Sequence, residues 1–162
     1  MPRDCSPDLP PPEDYTGTSV IWNLWVDIVQ ETFPMREGYH VRLESEPISG
    51  RADCKVYHFE QTRNPKKVEF LGIECKQGHH ETQDDSWDLA REQLITYLTG
   101  FQGSAKVFGA ICMGKNVRFY RFFPAQDDEP ATIEEMDENV IRIDRQPQTV
   151  VRRLEYIKSS VS

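Results

Sequence analysis

The stretch RADCKVYHFE (51–60), QTRNPKK (61–67) and VEFLGIECKQ (68–77) decides how this chain is read. β-Branched and aromatic residues fill both outer parts, and Asn64-Pro65 breaks helix and sheet alike, so the segment reads as two strands joined by a turn. If the strands run antiparallel, the connection 60–67 is centred between residues 63 and 64, and Asp53 falls directly across from Glu74. Residues opposed in this way hold their Cβ atoms about 4.5–5.5 Å apart. A register shift of one would send them to opposite faces. Glu74 and Lys76, two apart, share a face, while Cys75 points the other way with Ile73 and Leu71. Cys54 and Val56 likewise point away from Asp53.

Two carboxylates this close repel unless positive charge lies between them. A hard divalent cation, Mg²⁺ or Mn²⁺, answers that need with oxygen ligands. An ammonium group beside such a cation is disfavoured, which suits Lys76 to orient or deprotonate an attacking water. A bound metal would acidify that water and stabilise charge on phosphoryl oxygens. The competing reading is a salt-bridge ladder on an exposed sheet face. The apolar reverse faces of both strands give such a ladder little reason to be there.

Upstream, Val20, Ile21, Leu24, Trp25, Ile28 and Val29 recur at helical spacing, with Thr18 or Ser19 as cap and Pro34 as terminator. Tyr39, Val41 and Leu43 alternate with His40, Arg42 and Glu44 as a first strand. Downstream, DDSWDLAREQLITYLTGF predicts a helix with an apolar stripe through Trp87, Ala90, Leu94, Tyr97, Leu98 and Phe101. Strands at 106–113 and 117–123 flank Gly-Lys-Asn, a hairpin signal. A short strand at 139–143 and an amphipathic helix from Pro147 complete the list, with Val150, Leu154, Ile157 and Val161 on one helix face. The order α–β–β–β–α–β–β–(β)–α predicts an α/β fold, a mixed central sheet flanked by helices. Residues 1–17 read as a flexible tail, 18–162 as one domain, and 125–138 as an acidic loop.

The N-terminus MPRDCSPDLPPPEDY lacks the apolar core of a secretory signal, and no run reaches the roughly 18 apolar residues of a membrane span. Four scattered cysteines, without CxxC spacing, read as reduced thiols rather than disulfide or zinc ligands. These features predict an intracellular chain, cytoplasmic or nuclear, neither secreted nor membrane-bound. The net charge of -8 argues against gripping nucleic acid by bulk electrostatics. However, residues 127–138 alone carry seven acids and no base, so much of that charge lies outside the expected core.

GRADC (50–54), GIECK (72–76) and a following helix with EQLITY (92–97) resemble the PD-(D/E)xK nuclease superfamily. The nearest likeness is to the N-terminal nuclease domain of type I restriction enzyme restriction subunits and to RecB-like nucleases. The resemblance covers roughly residues 19–123, including FGAICMGKNVRFYRF after the helix. It implies a restriction-endonuclease-like core in which Asp53 and Glu74 bind metal with the main-chain carbonyl of Cys75, and Lys76 completes the catalytic site. Gln93 and Tyr97 fit the Gln-x-x-x-Tyr of one subset of the family. Gln93 would then be a catalytic and substrate-binding residue and Tyr97 a substrate contact. The family's first helix commonly adds an acid, for which Glu31 is the choice and Asp27 the reserve. Ala52 stands where many members carry Pro, and no motor segment accompanies the nuclease-like part.

The function so implied is Mg²⁺- or Mn²⁺-dependent phosphodiester hydrolysis of nucleic acid, DNA ahead of RNA. Nucleases of this type are often homodimers, but no dimer surface is legible here. The rival is a nuclease-fold binding or scaffold module with protein partners, which the acidic composition favours. Gln93 and Tyr97 are equally readable as ordinary helix packing, and His79 and His80 as a solvated loop. Lys55, Lys66, Lys67, Lys106, Lys115, Arg118 and Arg121 would form a phosphate-binding rim or else be scattered surface bases.

Overall fold

The computed structural model describes residues 20–46, 51–76 and 84–161. The N-terminal tail, Cys5, His79 and His80 lie outside these residues. Three helices, α1 (Val20–Thr32), α2 (Asp84–Thr99) and α3 (Pro147–Val161), flank a seven-stranded mixed sheet. Its strands are β1 (Tyr39–Glu46), β2 (Arg51–Phe59), β3 (Lys67–Lys76), β4 (Gly103–Met113), β5 (Asn116–Phe123), β6 (Thr132–Glu135) and β7 (Ile141–Arg142). They lie in the order β1-β2-β3-β4-β5-β6, with β7 also on β5. Only β3 and β4 run parallel, because α2 carries the chain back across the sheet between them. Among the described residues, no helix is long and apolar enough to cross a membrane.

The helices divide the sheet into two unlike faces. On one, α1, the Phe33 that follows it and α3 press Trp25, Val29, Phe33, Leu154 and Ile157 against Cys54, Val56, Ile73, Cys75 and Phe119. Trp25 packs at a tilt on Phe119 there and is 1% exposed, so the tryptophan belongs to the core. On the other face α2 seats Ala90, Leu94 and Leu98 on Ile111, Met113 and Tyr120. The sequence pattern of α1 and α3 needs little more than the 3.6-residue period, and Pro147 opens α3 at the position where a missing N–H is harmless.

Two glycines let α2 sit close. Gly72 of β3 pairs with Gly109 of β4, directly beneath the helix. A Cβ at Gly72 would lie 2.9 Å from side-chain atoms of Tyr97, Leu98 and Phe101, and one at Gly109 would meet Leu94 and Leu98 at the same distance. A third glycine, Gly114 at φ 61, makes the two-residue turn joining β4 to β5, where its left-handed backbone matches the strand twist.

Two details differ from the sequence reading. Residues 132–135 within the acidic segment form a strand on β5 rather than loop, because Ile133 is buried while its charged neighbours face out. An edge strand of this kind is protected from further pairing by its own charge. The strand expected at 139–143 is reduced to the Ile141–Arg142 pairing.

The glycine pair makes a direct prediction. Gly72→Ala should lift the C-terminal half of α2 and lower unfolding free energy by about 1–3 kcal/mol, the usual cost of overpacking. Gly100→Ala, whose Cβ would meet nothing closer than 3.6 Å, should change it by about 0.5 kcal/mol or less. Urea denaturation of the two variants measures the difference.

Candidate functional site

Asp53 pairs with Glu74 across β2 and β3. The route to this register is a β-bulge. Near the turn Phe59 pairs with Lys67 and Tyr57 with Glu69, but Val56 pairs with Leu71, leaving Phe70 as the extra residue. Phe70 and Leu71 consequently both join the α1/α3 core, and Phe70 packs on Phe33, Tyr39 and His58. Without that residue Asp53 would oppose Ile73, and the acid and apolar faces of β3 would be exchanged.

The row extends to a third strand, since Glu44 of β1 pairs with Asp53. Glu44, Asp53 and Glu74 therefore stand side by side on the α2 face, and exposure falls along the row. Glu44 is exposed and bound to Arg42 at 3.2 Å, Asp53 is half-buried, and Glu74 is fully buried. Lys76 follows Glu74 on the same face, and its Nζ donates to Oε1 of Gln93 on α2. Four residues on, Tyr97 has its phenol held well above the ordinary range, first by burial and then by the charges of Asp53 and Glu44, with Glu74 contributing less. The structure thus gathers Asp53, Glu74, Lys76, Gln93 and Tyr97 beneath and beside α2.

Other expected members fall elsewhere. Glu31 is exposed at the C-terminal end of α1, on the opposite side of the sheet. That end is marked by Phe33 against Tyr39 and Phe70, four residues of β3 away from Glu74, or about 13 Å along the strand. Asp27 is also exposed on α1. Neither joins the row. The Cys75 carbonyl lies within a ladder flanked by Ala52 on β2 and Cys112 on β4, so nothing in the strand geometry singles it out for a ligand. The Cys75 side chain is buried on the far face beside Cys112, and burial pushes its thiol well up; Cys54 is pushed up to about 12 by burial and the Asp53 charge. The cysteines of the described residues are free thiols.

The seven bases do not share one rim. Arg118 binds Glu135 and covers the Trp87 ring, Lys115 reaches Asp144, and Arg121 donates to Tyr156 on the α3 side. Lys55 and Lys67 instead converge on Glu69, at 2.8 and 3.8 Å. Glu69 is buried and also accepts from the Gln102 backbone N–H, while the Lys55 ammonium lies over the rings of Tyr97 and Phe101. This network, absent from the sequence reading, ties the end of α2 to β2 and β3. Burial opposes ionisation of Glu69, but Lys55, the Gln102 N–H and Lys67 together outweigh it and lower its pKa. Glu44 and Lys55 were both accessible to the turn argument: their partners Asp53 and Gly72 follow from the same kind of register that pairs Asp53 with Glu74.

Among the described residues, no group of three or more His, Cys, Asp or Glu side chains is placed to hold a metal ion. Two opposed carboxylates suit a cation that completes its shell with water and substrate phosphate, as Mg²⁺ does. The donor chemistry of Asp53 and Glu74 fits such an ion. Comparison with protein-family models, curated proteins and solved structures gives no match.

Glu69 supplies a pH test. Its folded pKa is depressed, so its contribution to stability is complete above the unfolded glutamate value of about 4.3 and is lost as pH falls through the folded value. Glu69→Gln should therefore be less stable than wild type by about 2 kcal/mol near pH 7. The gap should narrow below about pH 4, as followed by urea denaturation across pH.

Proposed function

We propose that this chain is a divalent-metal-dependent nuclease with a restriction-endonuclease-like core, cleaving phosphodiester bonds of nucleic acid, DNA ahead of RNA. The observation that carries this reading is the face-to-face pairing of Asp53 with Glu74, with Lys76 next on the same face and in contact with Gln93. The element order supports it, with the Glu-Cys-Lys strand in the sheet centre, parallel to β4 and capped by the helix that supplies Gln93 and Tyr97.

Asp53 and Glu74 would hold the metal, which when bound acidifies water and neutralises charge on the phosphoryl oxygens. Asp53, half-buried, faces the open side of the row, while Glu74 lies under α2 where low dielectric strengthens its attraction for a cation. Lys76 Nζ donates to Gln93, which holds the ammonium beside the acid pair, where it would orient an attacking water. Gln93 fixes the lysine, so it acts as a positioning residue. Tyr97 walls the site and holds its proton across the neutral range.

The second reading, a binding or scaffold module on the same fold, is favoured by the net charge of -8. The two readings separate in one set of measurements. Saturating Mg²⁺ or Mn²⁺, about 100-fold above Kd, should raise the melting temperature of wild type by about 5–10 °C and that of Asp53→Asn hardly at all. Cleavage of a labelled DNA should require the metal and fall about 100-fold or more in Lys76→Ala. Metal stabilisation without cleavage would favour the scaffold reading; cleavage undiminished in Lys76→Ala would overturn the proposed mechanism.

A further inference from the structure

α2 lies over β3 and β4, so among the described residues no helix covers β1 and the outer part of β2 on that face. This open area is not polar throughout. His40 of β1 stacks on Tyr57 of β2, with ring centroids 5.2 Å apart and planes 13° from parallel. Phe59 stands edge-on to both, at 5.5 and 5.9 Å, and is 43% exposed. The Lys67 ammonium lies 4.4 Å from the centre of the Tyr57 ring. Cross-strand aromatic pairs also stabilise sheets, but a purely structural cluster gains most when it is covered, and this one sits at the sheet edge.

Its position is specific. Asp53 and Tyr57 are four residues apart on β2, so the rings lie about 13 Å along the strand from the carboxylate row, on the same face. The charge around them is opposite to that of the chain as a whole. Toward the turn end of β2 and β3, away from the carboxylate row, Lys55, Arg63, Lys66 and Lys67 outnumber Glu60 and Glu69, and Glu69 is bound by Lys55 and Lys67. The run of acids at 127–138 belongs to the other edge of the sheet, beyond β5.

We propose that Phe59, held by the stacked His40–Tyr57 pair and with Lys67 beside it, forms a stacking platform for the bases of single-stranded nucleic acid leading into the Asp53–Glu74 site. Bases present a π-face only when unstacked from a partner strand, and aromatic side chains interleaved with cations bind such strands with little sequence preference. Duplex nucleic acid hides those faces and offers mainly phosphate. The platform thus gives the proposed nuclease a substrate class, and it rests on that reading only for its connection to cleavage.

The test is fluorescence anisotropy with a labelled oligothymidylate and a duplex of equal length, in EDTA so that no strand is cut. Wild type should bind the single strand more tightly than the duplex. Tyr57→Ala and Phe59→Ala should each weaken single-strand binding about fivefold or more, while Tyr57→Phe and Phe59→Tyr retain it. Lys67→Ala should reduce the salt dependence of binding by about 0.7 in log–log slope, one phosphate contact on a single strand. Equal affinity for duplex and single strand, or alanine variants that bind as wild type does, would overturn the platform. So would a Phe59→Ala effect confined to self-association in sedimentation, which would mark the patch as a protein interface. Adding Mg²⁺ to the same oligonucleotide separates the two proposals. Ring-dependent binding without cleavage leaves the platform standing and removes the nuclease. Cleavage that is indifferent to Phe59 does the reverse.

Discussion

One extra residue in β3 sets the character of both sheet faces. The bulge at Phe70 changes the β2–β3 register between the turn and the strand centre, and every pairing beyond it follows. Because side chains in a strand alternate with a period of two, this residue decides which of Ile73 and Glu74 faces α2. Glu69, on the turn side of the bulge, faces α2 through its pairing with Tyr57 and lies within reach of Lys55, while Phe70 fills the space against Phe33 and Tyr39. The bulge thus lets Glu69 and Glu74, an odd number of residues apart, share one face.

The rest of the α2 face is arranged around charges that a helix would ordinarily avoid covering. Burying a carboxylate costs several kcal/mol unless compensating partners surround it. For Glu69 those partners are visible in Lys55, Lys67 and the Gln102 N–H. The helix approaches this charged strip through the gap left by Gly72 and Gly109, which brings Gln93 to Lys76 and Tyr97 over Lys55. Close approach and polar contact depend on each other. Moving α2 outward would loosen the apolar seat of Leu94 and Leu98 and separate Lys76 from Gln93 together.

Much of this was legible in the sequence, for identifiable reasons. The three helices show a clear 3.6-residue stripe, and β2, β3, β4 and β5 are bounded by Asn-Pro or Gly signals that leave little freedom in their placement. The Asp53–Glu74 pairing followed from the turn midpoint, although the turn-proximal register is one residue different and the bulge restores it. A bulge has no sequence mark here beyond an unbroken apolar run, so it was invisible. β6 was hidden because one buried Ile133 among acids gives no periodicity to read. The placement of α1 against the far face was equally illegible, since its apolar stripe says that a face is buried and not which side of the sheet buries it. Glu31 was assigned to the site by the family resemblance alone, and the sheet separates it from Asp53 and Glu74.

The carboxylate row is also graded across the sheet. Exposure decreases from Glu44 through Asp53 to Glu74, as β1, β2 and β3 pass from the free edge of the sheet to the cover of α2. A charge near the edge is screened by solvent, whereas one beneath the helix is not, so equal charges in this row exert unequal fields. The attraction for a cation is thereby concentrated at the inner end, next to Lys76, while the outer end stays accessible. The bases around Tyr57 continue the same face outward, and the acids of 127–138 are displaced to the opposite edge beyond β5. A phosphate chain running along this face from the turn end of β2 would meet the rings and their neighbouring bases before it reached Asp53 and Glu74. This ordering arises from sheet topology, and the net charge of the whole chain does not describe it.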